Sequence, residues 1–113
     1  MIVKQLSIFV ENKSGRLCDI TGIFKDAGVD IRALSIADTT DYGILRVIVN
    51  NTEKAETALK DNGFTYSVTE VIAAAVPDEP GGLNKAISCL SKEGISIEYV
   101  YAFLNPKKGT AFI

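Results

Sequence analysis

From residue 2 to residue 10 the chain alternates. Ile2, Lys4, Leu6, Ile8 and Val10 fall on one parity, and Val3, Gln5, Ser7 and Phe9 on the other. A period of two with β-branched side chains predicts a strand, because successive residues of an extended backbone face opposite ways. From Leu17 the period changes. Leu17, Ile20, Ile23, Phe24 and Ala27 recur at three- and four-residue spacing, which predicts a helix with one apolar face. Ser14 is placed to cap its start, and Gly28 to end it in the left-handed conformation. Residues 30–37, DIRALSIA, predict a second strand, and 38–43, DTTDYG, a hairpin turn. Residues 44–50, ILRVIVN, predict a third strand. Thr52 is placed to cap a second helix carrying Ala55, Ala58 and Leu59, with Gly63 closing it, and 64–68 predict a fourth strand.

The order β-α-β-β-α-β predicts an α+β fold of the ferredoxin-like kind, an antiparallel sheet with both helices on one face. The pattern then returns at an offset of 66 residues without a gap. Val10 meets Val76, Gly15 meets Gly81, Leu17 meets Leu83, Gly28 meets Gly94, Ile31 meets Ile97 and Gly43 meets Gly109. Two units in tandem follow, 1–67 and 68–113. The second is predicted as strand 68–76, helix 81–93, and strands 95–104 and 109–113, lacking its last helix and strand, so that the chain reads as cut short. Residues 64–76 contain no Gly or Pro, so the last strand of the first unit is expected to run straight into the first strand of the second.

Two further motifs recur in register. DEPGGL (78–83) stands where NKSGRL (12–17) stands in the first unit, and EGISI (93–97) where AGVDI (27–31) stands. Asn or Asp, then x, Pro, Gly, x, Leu at the first strand-to-helix turn resembles the ACT domain, and the whole chain resembles free-standing tandem ACT proteins. Ser14 departs from that pattern, since proline is usual there. The resemblance implies a non-catalytic regulatory module that binds a small metabolite, most often an amino acid, at these turns between ACT units. The implied ligand-binding residues are Asn12, Lys13, Ser14, Gly15, Arg16 and Leu17 in the first turn. In the second they are Asp78, Glu79, Pro80, Gly81, Gly82 and Leu83. By the same resemblance Asn12 and Asp78 would orient the ligand and Gly15 and Gly81 would offer backbone donors.

The chemistry suits that role. Glycine allows close backbone approach, a helix N-terminus favours a carboxylate, and an Asn or Asp oxygen accepts from an ammonium. Arg16 faces Gly82 across the repeat, so only the first turn offers a fixed cation. A purely structural reading stays open, in which the glycines permit tight turns and Asn12 and Asp78 are ordinary turn residues. The other functional reading is a scaffold or regulatory partner of an amino-acid biosynthetic enzyme, without a ligand of its own. Unpaired strand edges need cover, and this predicts a homodimer.

Composition narrows the alternatives. The chain has 113 residues, 47% of them apolar, and a formal net charge of −2. That balance argues against nucleic acid and anionic membranes as partners. No apolar run approaches the ~20 residues of a membrane span, and the N-terminus lacks a signal-peptide layout, so the cytoplasm is the expected compartment. The chain has no histidine, which removes the usual general base near neutral pH and the commonest metal ligand. No catalytic residue, metal site or cofactor is expected. Cys18 and Cys89 show no metal-ligand spacing and are expected to be buried thiols within helices. Acylphosphatases share the topology, but their glycine-rich loop is absent. Tyr99, Tyr101 and Phe103 are expected on one strand face, as in an RNA-stacking platform. The RNP1 signature is missing, so an interface ladder is the preferred reading.

Overall fold

The opening alternation becomes strand β1, Ile2–Glu11, in the computed structural model, which describes residues 1–11, 14–38, 42–105 and 110–112. There follow α1 (Arg16–Asp26), β2 (Ile31–Asp38), β3 (Tyr42–Val49), α2 (Thr52–Asp61) and β4 (Tyr66–Ile72). These strands form one antiparallel sheet in the order β2-β3-β1-β4. This is the predicted ferredoxin-like arrangement. Register explains the core. Leu6 lies opposite Val47 and Ile8 opposite Leu45, so all four side chains share one face. Ile20 and Phe24 of α1 and Ala55 and Leu59 of α2 close over them. Leu34 and Ile36 lie opposite Val47 and Leu45 from the other side. They remain about half exposed, because β2 is the edge of the sheet.

The three described helices end alike. The Gly28 amide donates to Lys25 O at 3.1 Å and the Val29 amide to Phe24 O at 2.8 Å. The same pair of bonds recurs at Gly63 with Phe64 and, at the end of the third helix, at Gly94 with Ile95. This is the Schellman pattern, which satisfies the last carbonyls of a helix. It matches the expectation for Gly28 and Gly63.

The helix starts differ from expectation. Ser14 does not cap α1; the cap position is Gly15, with no side-chain bond. Thr52 is the first residue of α2 and not its cap. Asn51 caps it, its side-chain oxygen accepting from the Lys54 amide at 3.1 Å. Asn51→Ala is therefore expected to cost about 1 kcal/mol. A urea melt would show it as a lower midpoint with unchanged slope, and an unchanged midpoint would remove Asn51 from this role.

The chain divides into two compact units, Val3–Val71, and Ile72–Ile113 together with Met1–Ile2. The second contains β5 (Ala75–Pro77), α3 (Gly82–Lys92), β6 (Phe103–Asn105) and β7 (Thr110–Phe112). Its sheet has the order β5-β7-β6, antiparallel throughout. The Ala73 amide donates to Met1 O at 2.8 Å, which pins the chain start to this unit.

Several expectations for this half need correction. The run 64–76 is not one strand: β4 ends at Ile72 and β5 begins at Ala75. The two strands belong to different sheets, and the alanines between them have little strand preference. Residues 95–102 form no strand, and β6 covers only 103–105. Its partner β7 is three residues long, so the ladder has no further rungs. Tyr99 and Tyr101 thus precede the strand instead of sharing a face of it with Phe103. Cys18 and Cys89 do lie in α1 and α3, but both are exposed. Cys18 stands two residues before buried Ile20, about 200° around the helix. The tip of the expected hairpin, 39–41, lies outside the described residues.

Candidate functional site

The two turns adopt one backbone. Gly15 has φ 87° and ψ −8°, and Gly81, 66 residues on, has φ 89° and ψ −10°. Both are left-handed, a conformation in which any Cβ would be strained. Each glycine stands immediately before its helix, and its carbonyl accepts the first helical bond: Asp19 N to Gly15 O at 2.9 Å, and Lys85 N to Gly81 O at 3.0 Å. Among the described residues neither helix has a side-chain cap, unlike α2 with Asn51. The first amides of a helix have no intrahelical acceptor, so both turns present backbone donors at the positive end of a helix.

The second turn is wholly described. Val76 is buried and Pro77 ends β5. The Glu79 amide donates to Pro77 O at 2.9 Å and the Gly82 amide to Glu79 O at 3.1 Å. Asp78, Glu79, Pro80 and Gly81 are exposed, as is Leu83, while Gly82 is buried. The turn thus places Asp78 and Glu79 just ahead of an uncapped helix whose first turn has no acid. Gly82 packs so tightly that an added Cβ would fall within contact distance of the Pro77 carbonyl oxygen.

The first turn differs in its charges. Asn12 and Lys13 lie outside the described residues, and Ser14, Gly15 and Leu17 are exposed. Arg16 occupies the position of Gly82, but its charge is already engaged. It stands 3.6 Å from a Glu11 carboxylate oxygen and 3.9 Å from one of Asp19. Its guanidinium carbon also lies 6.0 Å from the centre of the Phe64 ring. The residues around Arg16 could be anticipated only in part. Asp19 is one helical step away at i+3, and Glu11 closes the preceding strand. Phe64 carries no sequence signal, because only the fold brings the end of α2 to this turn. Among the described residues no group of acids and cysteines is arranged to hold a metal ion. No described helix is long and apolar enough to cross a membrane.

A comparison with curated proteins found no significant match. Among solved structures, a protein from Bacteroides thetaiotaomicron is 46% identical with a TM-score of 0.91, over 99% of this chain and 76% of that one. The ACT domain of prephenate dehydrogenase from Bacillus anthracis is 25% identical with a TM-score of 0.50, over 56% of this chain and 99% of that one. The ligand-free regulatory subunit of aspartate kinase from Thermus thermophilus has a TM-score of 0.69 at 11% identity, over 99% and 84% of the two chains, a likeness of fold alone. The family model described as an ACT domain pair matches residues 1–113. With two strand-to-helix turns of one backbone and a family model spanning residues 1–113, the chain belongs to the ACT family as an ACT domain pair.

Proposed function

We propose that this chain is a non-catalytic regulatory module that binds a small metabolite, an amino acid, at its strand-to-helix turns. The observation that carries this reading is the pair of uncapped helix starts at Gly15 and Gly81, each with φ near 90°. An amino acid has a carboxylate for such amides and an ammonium for an acid beside them. The second turn is the better host. Among the described residues no cation pairs with Asp78 or Glu79, whereas in the first turn Arg16 is shared by Glu11 and Asp19. The aspartate kinase relative is itself a regulatory subunit. Ligand would act by favouring one arrangement of the protein over another, to the extent of its differential affinity.

A thermal-shift screen of the whole chain against the common amino acids tests this. At ~100 times Kd a ligand adds about 2.7 kcal/mol, worth roughly 4–8 °C per kcal/mol in a domain of about this size. One selective shift, lost in Asp78→Ala, is the expected result. No shift with any amino acid would overturn the proposal and leave both turns as structure.

A further inference from the structure

The first sheet ends on β2, and among the described residues no strand lies along its outer side. An open strand edge is a row of unpaired N–H and C=O groups, which proteins usually guard with charge, proline, brevity or a bulge. β2 is eight residues long. Its one irregularity falls between Ile31 and Ala33, and from Ala33 to Asp38 it runs in unbroken register with β3. Positions 33–37, ALSIA, contain no charge, proline or glycine. Leu34 and Ile36 stand half exposed on the side of the sheet that carries the core. The other edge, β4, is guarded, with Glu70 exposed in its second half.

The order of residues in β2 selects the occupant. A twofold axis through Ser35 sets Leu34 of one copy opposite Ile36 of the other, Ala33 opposite Ala37, and Arg32 opposite Asp38. Each apolar position then meets an apolar one, and the cationic position meets the acidic one. Such an axis, normal to the sheet, keeps every side chain on its own face. Opposed residues of an antiparallel pair share a face, so the axis has to pass through a residue. Moved by one residue to Leu34, it sets Arg32 against Ile36; moved to Ile36, it sets Leu34 against Asp38. Only Ser35 matches both kinds of position. β4 fails the same requirement, since an axis through its middle residue, Thr69, sets Val68 against Glu70. Arg32 lies 3.5 Å from Asp30 of its own chain, but both side chains are well exposed, and such a surface pair contributes little. A contact of this self-complementary kind closes at two copies.

We infer that two copies of this chain pair along β2, antiparallel about Ser35, into one eight-stranded sheet with four strands from each copy. Leu34 and Ile36 of the two copies then cover one another on the core side. The inference stands whether or not either turn binds an amino acid. A single strand ladder buries little area, so the expected Kd is on the order of 10–100 µM. Sedimentation equilibrium of the whole chain should show monomer passing to dimer, and nothing larger, between about 5 µM and about 1 mM. L34K/I36K is expected to weaken the dimer roughly tenfold or more, since lysine guards an edge. Phe9→Ser, at an exposed aromatic residue outside β2, should leave the dimer unchanged. Ser35→Cys, with Cys18 and Cys89 replaced by serine, tests the register without charging the edge. Opposed Cα atoms of an antiparallel pair lie about 4.5–5.5 Å apart, within disulfide reach, so oxidation with copper phenanthroline should link S35C into a dimer. Thr69→Cys in the same background, at the middle of β4, should stay unlinked. The inference falls if the wild type remains monomeric at about 1 mM, or if L34K/I36K leaves the dimer intact. It falls equally if Phe9→Ser dissociates the dimer as far as L34K/I36K does, or if T69C links as readily as S35C.

Discussion

Phe24→Ala should lower the free energy of unfolding by about 3–5 kcal/mol. Phe24 is 1% exposed and stands at the centre of the core, with Leu6, Ile8, Leu45 and Val47 from the sheet and Leu59 from α2. Truncation there removes the ring's burial and leaves a void that strands held by a hydrogen-bonded ladder cannot close. Against a total stability of roughly 5–15 kcal/mol for proteins of this kind, that is a large fraction. Leu17 is the control. It lies on the same predicted apolar face of α1, but it is 41% exposed, and Leu17→Ala should cost under about 1 kcal/mol, as surface changes do. Urea melts of the two variants followed by circular dichroism would check the contrast. Near-equal losses would mean that the helix does not seat on the sheet through Phe24.

That contrast marks where sequence reasoning succeeds and where it stops. Periodicity placed α1 and β1 because a buried face must repeat with the period of its element. It could not grade Leu17 against Phe24, since both satisfy the period and only packing against β1 and β3 separates them. Helix ends at Gly28 and Gly63 were legible because the Schellman turn demands a residue type, and the structure adds the same turn at Gly94, the repeat partner of Gly28. Starts were less so. Ser14 and Thr52 are good capping residues by type, yet Asn51 stands one position earlier and is as good, and at Gly15 the backbone turns without any side-chain cap. Cys18 was recoverable: its angle from Ile20 on the helical wheel puts it on the exposed side. The stretch 95–102 was not, because alternation states that a segment can be extended and says nothing of whether a neighbour offers a ladder.

The repeat itself was the strongest signal, and the turns at Gly15 and Gly81 agree within 2° in both φ and ψ. Offset alignment nonetheless hides a difference that depends on packing. Arg16 and Gly82 are equivalent in the repeat and each opens its helix. One carries a long side chain beside two carboxylates; the other is buried with no room for a methyl group. This asymmetry reaches the candidate site. Whatever shapes the second turn includes the close seat of Gly82 on Pro77.

Exchange of these two residues should therefore have unequal effects. Glycine to alanine in a helix ordinarily stabilises by about 0.5–1 kcal/mol. Gly82→Ala is expected to reverse that sign and cost about 1–3 kcal/mol, because the new Cβ would press on the backbone oxygen of Pro77, which cannot swing aside like the end of a flexible side chain. Relief requires the 77–82 turn to open, at the expense of the bonds from Glu79 N and Gly82 N. Arg16→Gly should cost only about 1 kcal/mol. Its ion pairs are long and its partners Glu11 and Asp19 are well exposed, so they contribute little, and the loss of helix propensity is of the same small order. If the second turn is the amino-acid site, Gly82→Ala should also abolish any ligand-induced rise in Tm, while Arg16→Gly leaves it in place. Melts of both variants with and without the amino acid found in the screen decide this. A Gly82→Ala protein as stable as wild type and still responsive would show that the turn does not owe its shape to that contact. A response lost in Arg16→Gly instead would move the site to the first turn.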